Sequence, residues 1–313
     1  MPEPQQERAA GPSGRAAEPR RGIVLYGHRG ARGEAPENTL PGFAYARRVG
    51  VEAFELDVRL SGDHELIVIH DETVDRTTDG TGRVAHLTAA ALARLDARAA
   101  FPHWPERAGV PTLDEVLATF PDLPAWQIEI KADAPERLER VCARLARLIS
   151  RYGIEERVVV ASFDASALRL MRRAAPELPL AYIGRYDSPS YLETALALGC
   201  AGACVPHRTS TRELVHQAQA RGLAITGWLG NTPQELELLL DWGVDSITSD
   251  YPSVAVPWLR AHAAGLPARV TSHGAMRRRV DSAPTSDEPA GPRESTGAAD
   301  GSSARTGDTE EGR

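Results

Sequence analysis

The chain has 313 residues, 42% of them hydrophobic and 25% charged, with a formal net charge of −7. That length and apolar content suit a globular protein with one large domain or two, and the acidic balance argues against a nucleic-acid binder held by a broad basic surface. The three cysteines, Cys142, Cys200 and Cys204, make no even disulfide set and no CxxC or Cys/His zinc pattern, so all three are expected to be reduced packing residues.

Residues 1–21 are rich in Pro, Glu, Arg and Ala and lack the apolar stretch of a secretory signal. No apolar run is long enough to cross a bilayer, so a cytoplasmic protein without a stable membrane anchor is expected. From about Gly265 the chain turns to Ser, Thr, Gly, Asp, Glu and Arg, too polar to offset the entropy of ordering. The basic run Arg277-Arg278-Arg279 reads as a solvated patch. Three segments are therefore expected: a disordered tail at 1–21, a folded unit at 22–264 and a disordered tail at 265–313.

Within the folded unit, short apolar runs alternate with longer amphipathic stretches, the pattern of β/α units around a parallel sheet. Strands are expected at Ile23–Gly27, Ala53–Val58, Trp126–Lys131, Arg157–Ser162, Leu180–Ile183, Gly202–Val205, Leu223–Trp228 and Val244–Thr248. Thr112 with Glu115, and Thr232-Pro233 with Glu235, have the spacing of helix capping boxes. Eight such units match a (β/α)₈ TIM barrel, whose functional residues gather at the C-terminal ends of the strands.

One segment breaks the pattern. Leu66-Ile67-Val68-Ile69 is strand-like but follows the second strand after only Ser61-Gly62-Asp63-His64, too short a link for a parallel crossover. A short antiparallel hairpin near the barrel mouth is expected, and folding it about Gly62-Asp63 returns His70 beside Leu56.

The second strand carries the strongest chemical signal. In Phe54-Glu55-Leu56-Asp57-Val58 the apolar residues share one face, which leaves Glu55 and Asp57 together on the other. Ile128-Glu129-Ile130-Lys131 repeats the device. Two carboxylates at i and i+2 with a third from another strand offer hard oxygen ligands to Mg²⁺ or Ca²⁺; an amphipathic sheet with one solvated face would look the same. The histidines favour the metal. His70 returns level with Glu55 and Asp57, and His28 ends the first strand in Tyr26-Gly27-His28-Arg29-Gly30. Two imidazoles converging on three carboxylates, an arginine and a lysine form a candidate active site.

Several of these runs together resemble the glycerophosphodiester phosphodiesterase family: His28-Arg29-Gly30, Ala35-Pro36-Glu37-Asn38-Thr39-Leu40, Phe54-Glu55-Leu56-Asp57-Val58, His70-Asp71-Glu72-Thr73 and Arg76-Thr77-Thr78. Pro111-Thr112-Leu113, Glu129-Ile130-Lys131, Ser162-Phe163, Trp228 and Thr248-Ser249-Asp250-Tyr251-Pro252 continue the likeness across the folded unit. The resemblance implies a barrel enzyme that uses one divalent cation, Mg²⁺ or Ca²⁺ with Mn²⁺ a further option, to hydrolyse a small-molecule glycerophosphodiester to glycerol 3-phosphate and an alcohol. It implies Glu55, Asp57 and Glu129 as metal ligands, His28 and His70 as the acid/base pair, and Arg29 and Lys131 as phosphate holders. Trp228 and Phe163 are candidates for contact with substrate. Glu37 and Asn38 are expected in support and not as direct ligands, Glu37 orienting His28 or a metal-bound water; the alternative for Asn38 or Thr39 is a helix cap and nothing more.

The chain departs from the family pattern at Leu229-Gly230-Asn231 and at Ser249-Asp250, which leaves the pocket shape open; Asp250 is read as structural. Two other functions fit the same residues. A phosphodiesterase acting on lysophospholipids would favour an apolar rim, for which the loop Phe101-Pro102-His103-Trp104-Pro105 is the aromatic candidate. A non-catalytic barrel would bind glycerophosphodiesters without turnover.

Overall fold

The computed structural model describes residues 23–184, 188 and 190–262. The two segments expected to be disordered, 1–21 and 265–313, lie outside the described residues. Among the described residues nine strands form: β1 (Val24–His28), β2 (Ala53–Leu60), β3 (Leu66–Val68), β4 (Ala125–Ile130), β5 (Val158–Ser162), β6 (Leu180–Ile183), β7 (Gly202–Pro206), β8 (Ala224–Trp228) and β9 (Ser246–Ser249). The helices are α1 (Leu40–Arg48), α2 (Ala89–Ala93), α3 (Leu113–Thr119), α4 (Pro135–Tyr152), α5 (Ala165–Ala174), α6 (Tyr191–Ala197), α7 (Arg212–Ala220), α8 (Pro233–Trp242) and α9 (Pro252–His262).

All strands but β3 pair in parallel in the order β1-β2-β4-β5-β6-β7-β8-β9, and the β1–β9 pairing closes the cylinder. This is the expected (β/α)₈ barrel. Period-two alternation sorts its side chains. On β2 and β4, Phe54, Leu56, Val58, Trp126, Ile128 and Ile130 point outward and are buried in the main core under the helices. Phe54 is packed by Phe43, Phe120 and Trp126 at ring-centroid distances of 4.8, 5.3 and 5.8 Å. Truncating such a ring to Ala costs about 3–5 kcal/mol, so this cluster anchors the strand that carries Glu55 and Asp57. Both expected capping boxes form, at Thr112/Glu115 on α3 and at Thr232/Glu235 on α8.

The expected hairpin also forms. β1 pairs only with residues 53–55 of β2, and β3 runs antiparallel along the edge beyond, with Val58 opposite Val68 and Leu60 opposite Leu66. The Ile69 amide donates to the Asp57 carbonyl at 3.1 Å, so the arm returns to the mouth and delivers His70 there. Beneath the following loop lies a separate apolar cluster that includes Ile67, Val74, Val84 and Leu92. Cys142, Cys200 and Cys204 are free and buried. No described helix is long and apolar enough to cross a membrane.

Candidate active site

Strand register does most of the assembly. β2 and β4 pair with Glu55 opposite Gln127 and Asp57 opposite Glu129, while β1 places His28 opposite Glu55. Facing residues on adjacent barrel strands point the same way, so Glu55, Asp57 and Glu129 all enter the lumen. They are 3%, 1% and 7% exposed, which replaces the solvated-face alternative with a buried cluster. One oxygen from each lies within 4.8 Å of the others.

Burying three carboxylates requires compensation. Lys131 Nζ is 2.8 Å from Asp57 Oδ1 and also contacts Glu129, while Arg29 Nε is 3.2 Å from Asp57 Oδ2. Burial opposes charge on Asp57, but Lys131 and Arg29 outweigh it and hold its pKa well below the usual range. The other two are less compensated. Burial, then repulsion from Asp57 and Glu129, raises Glu55 well above its ordinary value, and burial with Asp57 pushes Glu129 up to about 7. The cluster therefore has more negative charge than its two cations neutralise. An all-oxygen set short of positive charge suits a hard divalent cation, which would keep all three carboxylates ionised.

The chain turns sharply after β1. Arg29 and Asn38 adopt left-handed backbone (φ 52° and 55°), as does Gly30 (φ 87°). A non-glycine residue there costs roughly 1–2 kcal/mol, and the surroundings hold it: the Arg29 amide donates to Glu55 Oε2 at 3.1 Å, and Asn38 N–H to the Arg29 carbonyl at 3.0 Å. Asn38 Nδ2 then donates to Asp57 Oδ2 at 2.9 Å, and the helix cap of α1 is Thr39, whose hydroxyl accepts from Gly42 N–H. Asn38 thus touches the carboxylate cluster, in keeping with a supporting place, and the cap falls to Thr39. Glu37 makes no contact with His28 and is tied to arginines instead. Its ion-pair partners are Arg29 at 2.8 Å, Arg76 at 2.8 Å and Arg32 at 3.7 Å, because three guanidinium groups crowd this corner; His28 is held by another residue.

That residue is Asp250. Its Oδ1 lies 2.5 Å from His28 Nδ1, and Asn231 fixes it in turn, with Nδ2 donating to Asp250 Oδ2 at 3.0 Å and Oδ1 accepting from Asp250 N–H at 2.8 Å. Reading Asp250 as structural missed this contact, since Asp250 follows β9 and only barrel closure brings it beside β1. His70 has a parallel arrangement, with Nδ1 2.6 Å from Asp71 Oδ1. Burial disfavours charge on Asp71, but hydrogen bonds from Arg76 and His70 prevail and bring it down to about 2. An ionised aspartate only accepts, so each histidine carries its proton on Nδ1 and leaves Nε2 free for chemistry. Burial pulls the pKa of both histidines below 6.5.

An open cleft of about 620 Å³ lies over this cluster. His28, Arg29, Glu55, His70, Glu129 and Lys131 all line it, and Phe163 and Trp228 add apolar surface. Asp57 lies beneath them and is almost wholly covered. Arg32, Gln127 and Thr248 line the cleft too, and no role was assigned to any of the three from sequence. The aromatic loop candidate is turned elsewhere: Trp104 packs edge-on against Tyr45 of α1 at 5.9 Å.

A parallel barrel that gathers two imidazoles, three carboxylates and two cations at its mouth belongs to the class of barrel hydrolases for anionic esters. The family model of the glycerophosphoryl diester phosphodiesterase family matches residues 28–254, and the chain belongs to that family. It is 32% identical to a glycerophosphodiester phosphodiesterase of Caldanaerobacter subterraneus subsp. tengcongensis over 238 residues, 76% of this chain and 98% of the relative. With a glycerophosphodiester phosphodiesterase of Bacillus subtilis it shares 30% identity over 248 residues, 74% of this chain and 85% of the relative. Among solved structures, a phosphodiesterase of Oleispira antarctica in complex with the product sn-glycerol-3-phosphate superposes with a TM-score of 0.70 at 26% identity, covering 76% of this chain and 96% of that one. A putative glycerophosphoryl diester phosphodiesterase of Silicibacter pomeroyi gives 0.71 at 29% identity, covering 79% and 95%.

Proposed function

We propose that the protein hydrolyses glycerophosphodiesters to glycerol 3-phosphate and an alcohol, with one divalent cation held by Glu55, Asp57 and Glu129. The observation that carries this reading is the pair of Nδ1-anchored histidines, His28 and His70, on the same cleft as an undercompensated carboxylate cluster.

Each residue has a task that its surroundings support. A phosphodiester is an anion that repels nucleophiles, and charge shifts onto its equatorial oxygens as the new bond forms. Arg29 and Lys131, both lining the cleft, hold those oxygens. The bound cation would supply further positive charge at the phosphate and polarise an oxygen for attack. His28 and His70 act through Nε2: one, neutral, takes the proton of the attacking hydroxyl or water, and the other, protonated on both ring nitrogens, gives its Nε2 proton to the departing alkoxide. Asp250 and Asp71 hold the imidazoles in the tautomer that makes this exchange feasible. Trp228 and Phe163 provide apolar surface for the carbon skeleton of the substrate.

The test is release of glycerol 3-phosphate from glycerophosphocholine and glycerophosphoethanolamine, with and without EDTA, followed by add-back of Mg²⁺, Ca²⁺ or Mn²⁺. Chelator-sensitive release that a divalent ion restores is the expected result. Release that persists fully in EDTA removes the cation from the reading, and no release under any ion with either substrate overturns the reading itself.

A further inference from the structure

Arg76 has no part in the chemistry above, yet it is the residue on which both halves of the cleft lean. It sits on the loop after the β3 arm, half-exposed, and its guanidinium uses both edges. On one edge Nε donates to Asp71 Oδ2 at 2.6 Å and Nη2 to Asp71 Oδ1 at 3.2 Å. On the other, Nη1 donates to Glu37 Oε2 at 2.9 Å and Nη2 to Glu37 Oε1 at 2.8 Å. Asp71 anchors His70, and Glu37 anchors Arg29 at 2.8 Å on the side away from Nε, which faces Asp57. A single planar fork thereby joins the arm that carries one imidazole to the turn that carries the phosphate-facing guanidinium.

We infer that Arg76 is a positioning residue that fixes His70 through Asp71 and Arg29 through Glu37. This rests on the roles proposed above for His70 and Arg29. Three features support it. Asp71 is adjacent to His70 in the chain and partly open to water, so without Arg76 its carboxylate would rotate and exchange the imidazole for solvent. The side chain of Glu37 is only 8% exposed, and it faces several guanidinium groups whose relative placement it decides. The geometry also demands arginine: four donor contacts to two carboxylates need the rigid fork, and the ammonium of a lysine reaches one carboxylate at a time. The loop holds itself independently, through the Val74 amide to the Gly82 carbonyl at 3.0 Å and the buried side chain of Val74. Loss of the fork is therefore expected to loosen the two anchors and not the fold.

The experiment compares wild type, Arg76→Lys, Arg76→Met, His70→Ala and the Arg76→Met/His70→Ala double variant for kcat and KM on glycerophosphocholine, with thermal unfolding of each. Arg76→Met is expected to lower kcat/KM by ~10–100-fold, the usual loss when a partner that orients a site residue is removed. Both constants should move, kcat mainly through His70 and KM mainly through Arg29. In the His70→Ala background the same change should leave kcat within about threefold while KM still rises, because the coupled path is already gone. Arg76→Lys keeps the charge and so the fold, and should keep the kcat defect. Wild-type kcat in Arg76→Lys, or an equal kcat loss in both backgrounds, overturns the inference. A readout separate from turnover is the Nδ1 proton of His70 in ¹⁵N–¹H spectra. It should be observed in wild type and lost to water exchange in Arg76→Met, and an unchanged signal counts against positioning. If wild type turns over no substrate, the proposed function fails while this spectrum still decides the role of Arg76.

Discussion

The two histidine–aspartate pairs at the barrel mouth have one chemistry and two foundations. His28 ends β1 and Asp250 follows β9, 222 positions apart in the chain, and the β1–β9 register, Gly27 opposite Ser249, is what sets them level. His70 stands on the antiparallel arm and is anchored by its immediate neighbour. The side chains of the first pair are each 11% exposed, those of the second 35% and 27%. A contact between neighbours in sequence costs little entropy to make and is easily replaced by water, whereas a contact made by closing a barrel is built into the fold. The difference predicts a rigid half of the site and a half whose geometry depends on local struts such as Arg76.

The largest expected effect treats the pairs alike. His28→Ala and His70→Ala should each lower kcat by about 10²–10⁴-fold with little change in thermal midpoint, as for loss of a general acid or base. Wild-type turnover in a clean preparation of either would remove that histidine from the mechanism.

The next separates them. Asp250→Asn should cost roughly 100-fold in kcat and Asp71→Asn roughly 10-fold, within the span usual for partners that orient a site residue, because water substitutes for the exposed anchor and not for the buried one. Equal losses measured side by side would erase the distinction between the barrel-built and arm-built halves.

A smaller effect lies in the pH dependence. Burial lowers the pKa of both histidines from 6.5, which favours the neutral form of the one that accepts a proton. The kcat/KM profile should rise with pH along an acid limb whose midpoint falls below 6.5. Asp71 ionises near pH 2, so its titration does not contribute to that limb. A midpoint above 6.5 would mean that stabilising contacts outweigh burial at the accepting histidine.

The smallest concerns the apolar wall. Phe163 is 51% exposed and lines the cleft, so Phe163→Ala should raise KM only a few-fold with kcat retained, as expected for about 1 kcal/mol of partial burial against substrate carbons. A large loss of kcat instead would place the ring against the reacting atoms.

The features legible in the sequence were local ones. Alternation along Phe54–Val58 and Ile128–Lys131 was enough to group the carboxylates, since period two is a property of any extended strand. The length of the Ser61–His64 link was enough to make β3 antiparallel, and the register Val58 opposite Val68 is the one that returns His70 toward Leu56. Both capping boxes lay within four residues. The partners of Glu37 and Asp250 were not legible. Glu37 contacts Arg76 across a loop, and Asn231 meets Asp250 across the β8–β9 mouth, with no periodicity to announce either. The spacing of Asn231 and Asp250 from the strand ends was the available signal, and it carries meaning only once the barrel order is known.

By itself, then, the sequence determined the (β/α) alternation, the grouping of the acidic residues on one face of their strands and the family, because each depends on short-range periodicity or on runs of adjacent residues. The tertiary structure alone decided which aspartate serves which histidine, that the acidic face is a buried lumen, and that one arginine spans two anchors. Those contacts depend on barrel closure and loop packing, where register between distant strands, and not proximity along the chain, sets what touches what.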